Sequence, residues 1–156
     1  MILPDSIETA VAPLFEALPL ERAMSTLVVH ESGGKDLLEI VGRVVLDPSI
    51  KQRPTLQAGL WLYVDDLDQS HTISQGISDA TGSFWHGIMH RREGDFSNSH
   101  YWFNRTGHHP SMDTIEGYDS HAFIDDVASS TAQTAEGLIA LQRCEWASLF
   151  AWCAID

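Results

Sequence analysis

From Thr55 onward the apolar residues of this chain recur every three or four positions, and Asp, Ser and Gly break the rhythm at short intervals. Such a pattern commits a chain to amphipathic helices joined by tight, capped turns. Leu56, Leu60, Tyr63, Val64 and Leu67 form one stripe, with Asp65, Asp66 and Asp68 on its polar side. "SQGISDATGS" reads as a loop. Ser83 then suits the N-cap of a helix over 84–93, Gly94 ends it, and Asp95 caps a second helix over 96–105. "TGHHPSMDTIEGYDS" is a loop by composition, and helical patterns return over 122–129 and 134–153.

The first third is less regular. Ile7, Val11, Leu14, Phe15 and Leu18 keep helical spacing with Ser6 available as a cap, while Pro13 either starts that helix or kinks it. Residues 37–46, "LLEIVGRVVL", suit a buried strand or a short helix equally, because a continuous apolar run carries no period. A small β-hairpin around Gly33-Gly34 is the alternative there. With 156 residues, 44% of them hydrophobic, the chain suits a single domain, 1–156, with a mainly α fold of packed helical hairpins.

One segment echoes another. Asp66-Leu67-Asp68-Gln69-Ser70-His71 matches Asp95-Phe96-Ser97-Asn98-Ser99-His100 at an offset of 29 residues. The spacing suits two helix–turn–helix units slightly shorter than tetratricopeptide repeats of about 34 residues.

Composition excludes several classes of partner. The formal charge is −13, from 22 acidic against 9 basic residues. That balance opposes binding to nucleic acid or to an anionic membrane surface. Residues 1–20 lack a basic start and are interrupted by Pro4, Pro13 and Pro19, so they do not read as a signal peptide. Cys144 and Cys153 would lie on opposite faces of one helix, about 13 Å apart along it, too far to bridge. A cytoplasmic protein with reduced thiols is the expected setting.

The chemistry-bearing residues concentrate in 84–105. His86, His90 and Glu93 stand at i, i+4 and i+7 on one helix face, where two imidazoles chelate a metal and a carboxylate can be a third ligand. The order is not H-E-x-x-H, so no zinc-protease motif supports it. His71, or His108 and His109, would complete the shell. Arg91 and Arg92 suit either internal ion pairs or a carboxylate or phosphate ligand. Asn98 can fix a loop or a ligand, Tyr101 can donate to one, and Trp102 and Phe103 read as packing. No Gly-x-Ser-x-Gly elbow, paired catalytic cysteine or Gly-rich phosphate loop occurs.

"SHTISQ", "FWHGIMHRREGDFSNSHYWFNRTGHHP" and "LQRCEWASLFAWC" resemble an uncharacterised family of small bacterial and fungal proteins. Its signature falls here on His90 to Asp95, Asn98, Tyr101 and Trp102, with Ser70-His71 and Ile73 upstream. The chain departs from it at Asn104, where a second arginine before Arg105 is expected, which weakens a two-arginine anion clamp. The resemblance spans about half the chain and implies no particular activity.

Three readings therefore stand. In the first, a helical domain binds a small ligand or a protein partner through a groove of His71, His86, His90, Arg91, Arg92, Glu93, Asn98 and Tyr101. In the second, a metal- or histidine-dependent hydrolase or isomerase uses His90 or His86 as base, oriented by Glu93 or Asp95, with a divalent metal on His86, His90 and Glu93 as the one cofactor the residues suit. In the third, the block merely ties two hairpins together. Aromatics on several sides of the last helix, Trp146, Phe150 and Trp152, suit a homodimer or deep packing.

Overall fold

A computed structural model describes residues 1–155 of the chain. It is all-helical, with no strand among the described residues. The helices are α1 (Asp5–Ala17), α2 (Lys35–Val44), α3 (Pro54–Tyr63), α4 (Leu67–Ser74), α5 (Ala80–Glu93), α6 (Phe96–Thr106), α7 (Ser120–Ala128) and α8 (Ala135–Ile155), with a 3-10 turn over Pro110–Thr114. None of them is long and apolar enough to cross a membrane.

The starts and stops follow local chemistry, with informative exceptions. α1 begins at Asp5 without a side-chain cap and runs through Pro13 rather than starting there. Of the two alternatives the helix forms and the β-hairpin does not: 37–46 falls mostly in α2, which starts after Gly34. Its neighbouring segment finds partners elsewhere. Val29 N donates to Arg92 O at 2.7 Å and Gly33 N to Val64 O at 2.8 Å. With these donors taken by helix ends, no ladder remains to be built. Gln142 and Arg143 add side-chain bonds to the carbonyls of Ala23, Met24 and Thr26, strapping this irregular stretch onto α8.

Leu67 belongs to α4 rather than to the stripe of α3, because Asp65 turns the chain with φ +62° and Asp66 caps Gln69 N. α5 begins at Ala80, three residues before Ser83, with the Asp79 carboxylate capping Gly82 N at 2.8 Å. Gly94, at φ +85°, ends it in the left-handed region that glycine enters without a steric penalty. Asp95 then caps Asn98 N.

The two echoed segments carry the same tie. Ser70 Oγ donates to Ala58 O at 2.9 Å, and Ser99 Oγ to Gly87 O at 2.7 Å, each joining the two arms of a hairpin. At the α5–α6 crossing a Cβ on Gly87 would lie 2.7 Å from Phe103, so the close approach requires glycine.

α5 is the axis of the molecule. Every residue from Gly82 to Arg92 is buried, with α3, α4 and α6 packed around it. One side joins an aromatic core in which Trp146 stacks on Phe150 at 4.6 Å, lies 4.8 Å from Tyr63, and donates from Nε1 to Gly59 O at 2.8 Å. A helix buried all round must find a partner for each polar side chain it carries. Its two histidines and two arginines therefore define where chemistry can sit.

Candidate functional site

The polar residues of α5 point three ways. Arg91 turns to α8, donating to both Glu145 oxygens at 2.8 and 2.5 Å, with its guanidinium 4.1 Å over the Phe123 ring. Tyr118 Oη donates to the same carboxylate. Burial opposes the Arg91 charge, yet Glu145 beside it holds the guanidinium above its ordinary pKa. Burial, with Glu145 adding to it, keeps the Tyr118 phenol protonated and hence a donor.

Arg92 turns the opposite way, to Asp65 at 2.6 Å and to the carbonyls of Leu62 and Thr26 at 3.2 Å. Both arginines are 0% exposed. Each guanidinium pairs through its terminal nitrogens with an internal carboxylate, Glu145 or Asp65, while both Nε atoms have no partner among the described residues.

His86 and His90 face α4 and α6. His71 arrives from α4, and the three imidazoles close on one another, with ring centroids 4.6 Å apart for His71–His86, 5.5 Å for His71–His90 and 5.0 Å for His86–His90. One ligand-type nitrogen from each lies within 4.8 Å of the other two. Trp102 of α6 stacks on His86 at 3.9 Å and 9°, forming a wall. His90 Nδ1 donates to Glu93 Oε1 at 2.6 Å, which leaves Nε2 free.

Of the two places the sequence offered Glu93, third metal ligand or orienter of His90, its position matches the second. It sits behind His90 as a hydrogen-bond acceptor, while His71 occupies the third position of the cluster. A second grouping, of His90, Glu93 and Asp95, also lies within 4.8 Å. Asp95, however, is engaged as a cap, accepting from Asn98 N at 3.1 Å and Nδ2 at 2.6 Å. That same bond fixes Asn98 to its own helix start. Tyr101 is exposed and stands edge-on to Trp102, with Arg105 over both rings.

His108 and His109 do not join. His109 is buried against Thr81 and Ser111, and His108 bonds Asp113 on the surface. His100, which corresponds to His71 in the echo, instead clasps α7 through His121 Nδ1 at 2.7 Å and Asp125 at 3.0 Å. Trp102 is the pocket residue that sequence reasoning assigned to packing alone. Its signal in the sequence was its place beside Tyr101 in the signature of the resembled family.

The cluster's electrostatics follow from burial. His86 is 2% exposed, and its pKa is pushed down to about 4 by burial, with His71 and His90 adding to the effect. It is therefore neutral at physiological pH. Its Nδ1 finds no hydrogen-bond partner among the described residues. An apolar groove of about 890 Å³ lies elsewhere, between α8 and the first residues of the chain.

No family model, curated protein or solved structure matches the chain. The reading of the site therefore rests on its own geometry.

Proposed function

We propose that the chain acts by binding a small ligand at the cluster of His71, His86, His90 and Trp102. The observation that carries this is His86 Nδ1, buried and without a hydrogen-bond partner among the described residues. A buried polar atom left without a partner costs about 1–3 kcal/mol. Functional sites commonly keep such a cost because a ligand supplies the missing contact. The two arginines are each paired with an internal carboxylate on other sides of the helix, so the ligand's contacts come from imidazole and indole groups.

The test is His86→Phe, which keeps the ring stack on Trp102 and removes the orphan nitrogen. In chelator-treated protein the variant is expected to gain about 1 kcal/mol, a rise in Tm of about 2–4 °C for a domain of this size. A fall in Tm, as for an ordinary core residue, would overturn the reading.

The same pair of proteins yields a pH result. His86 takes up its proton near pH 6.5 when unfolded and near pH 4 when folded, so between those values the unfolded chain holds more protons. Stability is thus full above pH 6.5 and declines as pH falls towards 4. Urea melts across that window should show a shallower decline in His86→Phe than in the parent. Buried His109, also shifted downward by burial, retains part of the slope.

A further inference from the structure

We infer that the ligand of this pocket is a divalent transition-metal ion, bound by one nitrogen from each of His71, His86 and His90, with Glu93 as the outer partner of His90. This inference rests on the pocket being the functional site, and it adds the identity of the occupant.

The first argument is the donor set. Three imidazoles from two helices converge on one point, each with a ligand-type nitrogen within 4.8 Å of the others. Tetrahedral coordination at 2.0–2.1 Å places ligand nitrogens about 3.3 Å apart, so small side-chain rotations close the remaining gap. No hydrogen bond joins any two of the three rings among the described residues, although their ring centres lie 4.6–5.5 Å apart. Histidines that serve only the fold would be expected to bond one another, a neighbouring side chain or the backbone, as His100 and His109 do here. This trio instead leaves its lone pairs unspent.

The second argument is the shell around the donors. Histidines that ligate metals generally pass their other ring proton to a carboxylate, which fixes the tautomer and raises ligand basicity. The 2.6 Å bond from His90 Nδ1 to Glu93 meets that requirement and presents Nε2 for the ion. Trp102, flat against His86, holds the second ring in place. The acidic chain, at −13, also favours the approach of a cation.

The third argument is selectivity. Neutral imidazoles without inner carboxylates suit zinc, copper, iron or nickel over calcium or magnesium. Three protein ligands leave a tetrahedral ion one position for water or substrate, the arrangement of catalytic rather than structural zinc. A water there becomes acidic enough to supply hydroxide near neutral pH, which would serve a hydrolase.

The experiment uses the full chain, stripped with chelator and titrated with Zn²⁺ by calorimetry and with Co²⁺ by visible absorption. The expected result is one ion per chain, with the intense d–d bands of four-coordinate Co²⁺. Glu93→Gln should lower zinc affinity about 10–100-fold while leaving the stoichiometry at one. His71→Ala and His90→Ala should each lower it further, and His100→Ala, on the surface clasp, should leave it unchanged. Glu93 has a side chain 40% exposed, so its variant is expected to fold. Absence of saturable zinc binding, or binding that survives in the His71→Ala/His90→Ala double variant, would overturn the inference. Since His86→Phe is measured without metal, a stability gain there with no zinc uptake rejects the ion and retains the pocket. A stability loss rejects the pocket reading on its own terms.

Discussion

Replacing Glu145 with alanine is expected to destabilise the fold by about 3–5 kcal/mol, because it strands the Arg91 charge in a fully desolvated site. Arg91 and Glu145 both have side chains 0% exposed, and they meet through two parallel bonds. The pair has no recourse to water. Glu145→Ala removes two acceptors from Arg91 and the one acceptor of the Tyr118 hydroxyl. Urea denaturation monitored by circular dichroism reads the loss directly. The double substitution Arg91→Met with Glu145→Leu makes the argument sharper. Removing both charges together should recover most of the loss, since apolar replacements of buried pairs are often neutral. A double variant as unstable as Glu145→Ala alone would show that the site is held by shape rather than by charge.

Trp146→Ala is the second large effect, about 3–5 kcal/mol from lost burial and the cavity left behind. Trp146 is 0% exposed and touches the rings of Phe15, Tyr63, Trp85 and Phe150. Its indole also caps the carbonyl of Gly59. Trp152, six residues on in the same helix, is 38% exposed and makes the internal control. Trp152→Ala should cost about 1 kcal/mol or less, as substitutions near the surface do. Equal losses at the two positions would mean that the aromatic core is centred differently from the packing described above.

The contrast between those two tryptophans also marks what the residue pattern can and cannot disclose. The 3.6-residue period marked α3, α7 and α8, and local chemistry, the stop at Gly94 and the cap at Asp95, marked the junction of α5 and α6, whereas α4 was not read as a helix of its own. The period failed at 37–46, where α2 is apolar enough to lose its contrast, and at Leu67, where Asp65 and Asp66 imitate the polar side of an unbroken helix. In the pocket, His86 and His90 were legible because they share one helix face. His71 was one option among three, since its approach depends on how α4 packs on α5. The partners of Arg91 and Arg92 lie 54 and 27 residues away in sequence, and no local rule links positions so distant. Glu93 was placed by spacing at i+7 on the ligand face. A glutamate three residues from His90 can reach round the ring, and its short bond there decides its role.

Asp65 sits where Gly94 sits one hairpin later, and both adopt a left-handed backbone. Glycine is free in that conformation, whereas aspartate surrenders about 1 kcal/mol to enter it. What holds aspartate there is the distant guanidinium of Arg92. The backbone of this turn is thus tied to a residue on another helix. Without the arginine, nothing among these contacts favours aspartate over glycine at this left-handed position.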